Sequence, residues 1–242
     1  MRDFLIIMKK LHVSVNQSLG IVIALLFLSL LMIDTKEVLS DTVNPGLYSI
    51  DSKPFGSSFA DWTAKFWQWY LKIPNSQHPF GDSTGDKCAL MQNGPVWFLV
   101  GSAGKVVRNC TIPSDKAILI PIINTECSYS ESPDIKDKKG LSDCAITGNN
   151  GAKISASVDN RPIVDLNKYR VATDIFNVTY ASDPVFPTNS NVSQAVSDGW
   201  YLFLEPMKVG QHEIKFTASQ VADPNSVGGT SLIDVTYHVT VK

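Results

Sequence analysis

The side chains of this 242-residue chain that could do chemistry are four cysteines, four histidines and a scatter of acids with no fixed spacing among them. Nucleophilic hydrolysis needs a Ser or Cys with a His in reach, and no G-x-S-x-G stretch is present to raise a serine on a strand-to-helix turn. His12 falls in the leader, His78 in an irregular stretch, His212 beside Ile214 and Phe216, and His238 on the polar face of the last strand. Each reads as a core or surface histidine. Asp61, Asp82, Asp86, Glu126, Asp198 and Glu205 supply carboxylates, but glycoside cleavage needs two of them at a set separation across a cleft. Nothing in the spacing selects a pair. Asp82, Thr84 and Asp86 alternate in GDSTGDKC and offer oxygens to Ca²⁺, yet Gly85 stands where a spacer belongs and no terminal Glu follows. An ordinary turn is the better reading, and no cofactor is expected.

Cys88, Cys110, Cys127 and Cys144 all follow the leader, an even number suited to an oxidising compartment. No C-x-x-C or closely spaced His accompanies them, which argues against zinc. Four cysteines allow three connectivities; sequential pairing, Cys88 with Cys110 and Cys127 with Cys144, closes the two shortest loops and is the expected one. Asn109, Asn177 and Asn191 each begin an N-x-Ser/Thr sequon, a glycosylation acceptor where the host has the machinery.

The elements that must position these residues begin with Phe59 to Ile73, where three of five tryptophans fall within eight residues. At helical spacing Phe59, Trp62, Phe66, Trp69, Tyr70 and Ile73 form one apolar stripe, while Asp61, Lys65, Gln68 and Lys72 fall opposite. Ser58 and Asp61 suit a capping box, and Pro74 forbids continuation. Trp67 lies off the main stripe, so it either widens the buried face or sits exposed as a contact residue.

Strands follow. Val96–Val100 and Val106–Ile112, separated by Ser102–Lys105, predict a β-hairpin; Ala117–Ile123 predicts a buried strand in which Pro121 demands an edge or a bulge. Glu126 to Asn150 is the most polar part and reads as a long solvated excursion stapled by Cys127 and Cys144. Strand patterns return at Lys153–Val158, with a turn at Asp159 and Asn160, then at 169–173, 175–180, 200–204 and 211–218. Ile233, Val235, Tyr237, Val239 and Val241 alternate with polar residues in the last strand. The sum is a mainly β domain, a β-sandwich (jelly-roll-like or Ig-like) with one amphipathic Trp-rich helix packed on it.

Residues 1–40 read as a targeting segment: Arg2, Lys9 and Lys10 precede the 15-residue apolar run from Leu19 to Ile33, short for a membrane span. Cleavage before Asp41 is expected, with an uncleaved amino-terminal anchor as the alternative; residues 41–242 form a single extracytoplasmic domain. Four of the 21 Lys and Arg and three of the 23 acids precede Asp41, leaving 17 against 20. A nucleic-acid binder would show a basic excess.

In WTAKFWQWYLKIP, CALMQNGPVWFLVG, the Cys110–Asn124 segment CTIPSDKAILIPIIN, SVDNRPIVDLNKYRV and SDGWYLFLEPMKVGQHEIKF with DVTYHVTV, the chain resembles exported proteins of bacteria and archaea that carry no assigned activity. The resemblance implies family and export and transfers no catalytic residue. Three function classes follow: a noncatalytic cell-envelope or extracellular domain binding polysaccharide or a cell-surface protein, a secreted carboxylate-dependent hydrolase acting on polysaccharide, or a metal-dependent envelope protein.

Overall fold

The computed structural model describes residues 44, 46–220 and 231–242, and the targeting segment read from residues 1–40 lies outside them. Gly46–Lys242 forms one compact unit. In chain order its strands are β1 (Val96–Phe98), β2 (Gly104–Ile112), β3 (Ala117–Ser128), β4 (Lys153–Val158), β5 (Arg161–Pro162), β6 (Arg170–Ala172), β7 (Phe176–Thr179), β8 (Val192–Leu204), β9 (Gly210–Gln220) and β10 (Ser231–Val241). The α-helices are α1 (Phe59–Tyr70) and α2 (Lys138–Thr147). One sheet runs β1-β3-β8-β6, with β7 also on β8; the other runs β2-β10-β9-β4-β5.

The layering follows from which faces the sequence makes apolar. Ile118, Ile120 and Leu202 of the first sheet pack against Ile214, Phe216, Val235 and Tyr237 of the second, filling the sandwich. Leu119, Tyr201 and Phe203 look the other way and are covered by Phe59, Trp62, Phe66, Trp67 and Trp69 of α1. The first sheet is therefore buried on both faces, which is why VWFLV and AILIPII read as continuous apolar runs. In β10, by contrast, Val235, Tyr237, Val239 and Val241 are buried while His238 is exposed. Its outer face meets water.

The helix starts as its sequence requires. The Ser58 hydroxyl accepts from the Asp61 amide at 3.1 Å and the Asp61 carboxylate accepts from the Ser58 amide at 2.9 Å, a reciprocal capping box. Those bonds to Ser58 hold the Asp61 carboxyl below its ordinary pKa.

Four expectations need correcting. The segments at 96–100 and 106–112 do not form a hairpin: β1 pairs with β3 and β2 with β10, both in parallel and in different sheets. The reason is visible in the pattern, because β1 is apolar on both faces and needs cover on both, whereas β2 alternates and needs one. The excursion at 126–150 is not all loop. β3 extends to Ser128, and α2 is capped by Asp137, whose side chain accepts from the Gly140 amide. The strand expected at 200–204 begins at Val192, and a second helix stands beside the single one expected.

Cys88 is bonded to Cys110 and Cys127 to Cys144. The first ties the loop after α1 to β2, the second pins α2 to the end of β3. In the chain-entropy view, closing loops of this size stabilises by about 3 kcal/mol each.

Candidate functional site

Pro121 decides where the one built cavity wall of the first sheet acquires a polar group. It cannot donate to the ladder, and the β3–β8 register shifts between Pro121 and Ile123. Ile122 and Ile123 both turn into the sandwich as a result. Asn124 is thereby re-aimed toward α1, where its side-chain amide donates to the Tyr201 hydroxyl at 3.0 Å. The Trp67 indole N–H donates to the same hydroxyl at 3.3 Å. Burial pushes the Tyr201 phenol up to about 12, against the pull of the Asn124, Ser197 and Trp67 contacts.

Above this chain of bonds lies a cavity of about 520 Å³, between the C-terminal half of α1 and the bulged β3. Phe66, Trp67, Tyr70, Phe80 and Phe186 form its aromatic walls, and Ser102, Asn124, Thr125 and Gln220 are its polar points. Gly101, Ser102 and Ala103 close one side. Tyr70 stacks on Phe186 at 6.2 Å, and the His78 ring sits edge-on to Tyr70 at 4.1 Å. His78 Nδ1 accepts from the Phe80 amide, so Nε2 carries the hydrogen and donates to the Tyr70 carbonyl. Burial holds the His78 pKa down at about 4, and the ring is neutral.

The wall made by Phe80 and Gly101 is fixed by Arg108, which is 1% exposed. Its guanidinium donates to the carbonyls of Asp82, Val100, Gly101 and Phe80 and to the Tyr237 hydroxyl, at 2.6 to 3.1 Å. Sequence reasoning passed over Arg108, Asn124 and Tyr201. The available sign was a lone polar residue inside an apolar strand run.

Gly199 lies opposite Asn124 in the ladder, and a Cβ there would stand 2.5 Å from the Asn124 Cβ and 2.6 Å from the Ile123 carbonyl oxygen. Gly199→Ala is expected to cost about 3 kcal/mol in urea unfolding, as overpacking does. Gly101→Ala, where a Cβ meets nothing within 4 Å, should be close to neutral.

The other residues singled out in the sequence do not converge on this cavity. Asp82 folds its own loop: its carboxylate accepts from the backbone amides of Thr84, Gly85 and Lys87, and the Thr84 hydroxyl donates to it. These bonds, against the cost of burial, hold its pKa low. They occupy the Asp82 oxygens that the calcium reading of Asp82, Thr84 and Asp86 would use. Among the described residues no three His, Cys, Asp or Glu side chains gather as a metal-holding group.

Asp61 caps α1. Asp198 is bound by Arg170, Nη2 at 2.7 Å, and by the buried Asn149. His212 bridges Asp159 and the Lys208 carbonyl, and the Asp159 contact raises its pKa against desolvation; His238 is half-exposed, 3.8 Å from Glu213. Glu126 is buried beside Glu131. None of the six carboxylates weighed for hydrolysis lines the cavity. Trp67 is 4% exposed, so it widens the buried face of α1 and meets the cavity from within. Asn109, Asn177 and Asn191 are all exposed. Asn177 lines an open depression of about 650 Å³ along the β7–β8 hairpin, whose other walls are mainly hydroxyl and amide side chains.

No family model matches the chain, and no curated protein sequence matches it. Among solved structures it is similar to the solution structure of amebosin, at 12% identity and a TM-score of 0.21 over 62% of this chain and 100% of that one. It is also similar to PbICP-C in the structure of its complex with falcipain-2, at 11% identity and a TM-score of 0.23 over the same shares. Scores of that size transfer neither activity nor partner.

Proposed function

We propose that this is a noncatalytic extracytoplasmic binding domain, and that its ligand is a small, mainly apolar molecule carrying one hydrogen-bonding group. The cavity carries the reading: its size is that of a small-ligand site, its walls are aromatic, and its polar points are few, which is the usual make-up of such sites. Its walls are also preformed, by Arg108 on one side and by the bonds of Trp67 and Asn124 to Tyr201 on the other. The two disulfides fit an oxidising, extracytoplasmic setting. Among the described residues no helix is long and apolar enough to cross a membrane. Export itself rests on the leader sequence and on the resemblance to exported proteins.

The hydrolase reading would need two carboxyls facing a cleft, and none of the six acids weighed lines the cavity. The metal reading would draw on the Asp82 oxygens, which the amides of Thr84, Gly85 and Lys87 already hold.

The test uses 1-anilinonaphthalene, which carries no charge for the lysines of other surfaces to attract, as an apolar probe of the native protein. One saturable site is expected. Ala103→Trp, an exposed rim position whose new ring fills the cavity mouth, should abolish the probe's fluorescence gain with the melting temperature unchanged. Undiminished probe binding to that variant would remove the cavity as the site.

A further inference from the structure

A second groove lies on the other flank of α1. Trp62, Lys65 and Trp69 of the helix, with Lys72 just past its end, form one side of a groove of about 340 Å³, and Met91 and Pro95 the other. The far side is rigid. The Gln92 side chain holds it to β1 by accepting from the Phe98 amide and donating to the Phe98 and Cys88 carbonyls. The Trp69 indole donates to the Leu90 carbonyl, and Cys88 is fixed to Cys110.

On this rigid loop Met91 adopts φ 52°, a left-handed conformation that is costly for a non-glycine residue, and its side chain is 46% exposed. An unbranched thioether presented in this way is well suited to accept varied apolar groups. At the helix, Lys65 places its ammonium 4.1 Å over the Trp62 ring and donates to the Ser57 hydroxyl. Lys72 is exposed, and neither lysine is in an ion pair among the described residues. The nearby Asp61 carboxylate is committed to Ser58. Lys65 lies within α1 and Lys72 just past its end, seven residues on, which at helical rise is about 10 Å along the axis. The groove is thus apolar between two cations that are in no ion pair, although the ionised Asp61 one turn before Lys65 acts on it through space.

We infer that this groove binds an acidic, apolar-rich extended peptide segment of a partner protein, with carboxylates meeting Lys65 and Lys72 and an apolar side chain against Met91. Charge complementarity selects an anion. The choice of peptide over acidic glycan rests on the polar groups: a sugar needs several free hydrogen-bonding side chains, and here the Gln68 amide is already given to the Asn177 carbonyl and that of Asn93 to the Met91 carbonyl. What remains open is apolar surface and ammonium. A polyproline-type peptide repeats its face every three residues, about 9 Å, close to the lysine spacing.

The probe is a fluorescein-labelled twelve-residue peptide of four Glu-Pro-Leu repeats, with the Gln-Pro-Leu peptide as control, read by anisotropy. Binding of the acidic peptide alone is expected. It should weaken at least tenfold in the Lys65→Gln/Lys72→Gln double variant, about threefold in Met91→Ala, and with added salt. Equal binding of both peptides, or no effect of the lysine substitutions, overturns the proposal. So does binding of polygalacturonate through the two lysines without binding of the peptide, which would make the surface a glycan site. Ala103→Trp should leave peptide binding intact, since this groove does not depend on the cavity of the proposed function.

Discussion

Replacing Arg108 by Ala or Met is expected to destabilise the domain by at least about 4 kcal/mol in urea unfolding, the size reserved for broken buried networks. The guanidinium is buried without a carboxylate; four carbonyls and the Tyr237 hydroxyl together disperse its charge. Replacing a buried ion pair by apolar groups can be neutral, because both charges leave together. That exemption does not apply here. Removing Arg108 leaves the carbonyls of Asp82, Gly101 and Phe80 without its donors, the Val100 carbonyl keeping the Tyr237 hydroxyl, and each buried unpaired acceptor costs about 1 to 3 kcal/mol. Arg108→Lys should recover only part of the loss, since one ammonium cannot span carbonyls on two loops and reach Tyr237 as well. Because Phe80 and Gly101 wall the cavity, Arg108→Lys should also weaken binding of the anilinonaphthalene probe in the protein that still folds. A Met variant as stable as the wild type would show that the carbonyls are satisfied by water and that the wall stands without its post.

How much of this was legible in the sequence depends on whether a feature is set within one element or between two. The start and buried stripe of α1 could be read because a capping box and a 3.6-residue period are local, while its last turn closes at Tyr70, before the Ile73 that Pro74 set as the limit. The alternation of β10 and the turn at Asp159 and Asn160, both in left-handed backbone, were local as well. Trp67 shows the limit: the stripe ranks residues against one flat surface, whereas the Tyr201 hydroxyl beneath the helix gives that indole a buried partner. Pairing of β1 and β2 with strands elsewhere in the chain was invisible, since nearness in sequence argues for a hairpin and only the coverage of both faces argues against it. Helix α2 was hidden because only Leu141 and Ala145 of it are buried, too few for a periodic stripe, and its hold on the domain comes from Cys144. The need for a bulge at Pro121 was readable from the missing amide. That the bulge would deliver Asn124 to a cavity required the helix on the far side.

Above neutral pH, Glu126→Gln is expected to be more stable than the wild type, an outcome opposite to the usual cost of altering a buried residue. Glu126 is 8% exposed, and both of its carboxyl oxygens lack a hydrogen-bond partner within normal distance. Burial raises its pKa well above the ordinary carboxyl value, and the neighbouring Glu131 raises it further. Burial raises Glu131 too, opposed by the hydrogen bond it accepts from the Tyr180 hydroxyl at 2.8 Å. Tyr180 in turn is 2.6 Å from the Ser128 hydroxyl, and no basic side chain pairs with either carboxyl among the described residues. Two carboxyls brought together in this way cannot both ionise cheaply. A folded pKa raised above the unfolded one gives stability that is fully present below the unfolded value, near pH 4, and is lost as pH rises through the folded value. Gln keeps the shape and removes the ionisation. The stability difference between variant and wild type should therefore grow with pH by up to about 1.4 kcal/mol per unit between the two pKa values. Using the difference cancels the opposing groups: Asp61, Asp82 and Asp159, with lowered pKa values, and His78, kept neutral, all lose stability as pH falls, equally in both proteins. Urea midpoints at pH 4, 6, 8 and 9 decide the matter. A difference that stays flat across that range would mean that Glu126 ionises freely in the folded protein, and that the carboxyl pair is open to water rather than sealed beneath Tyr180.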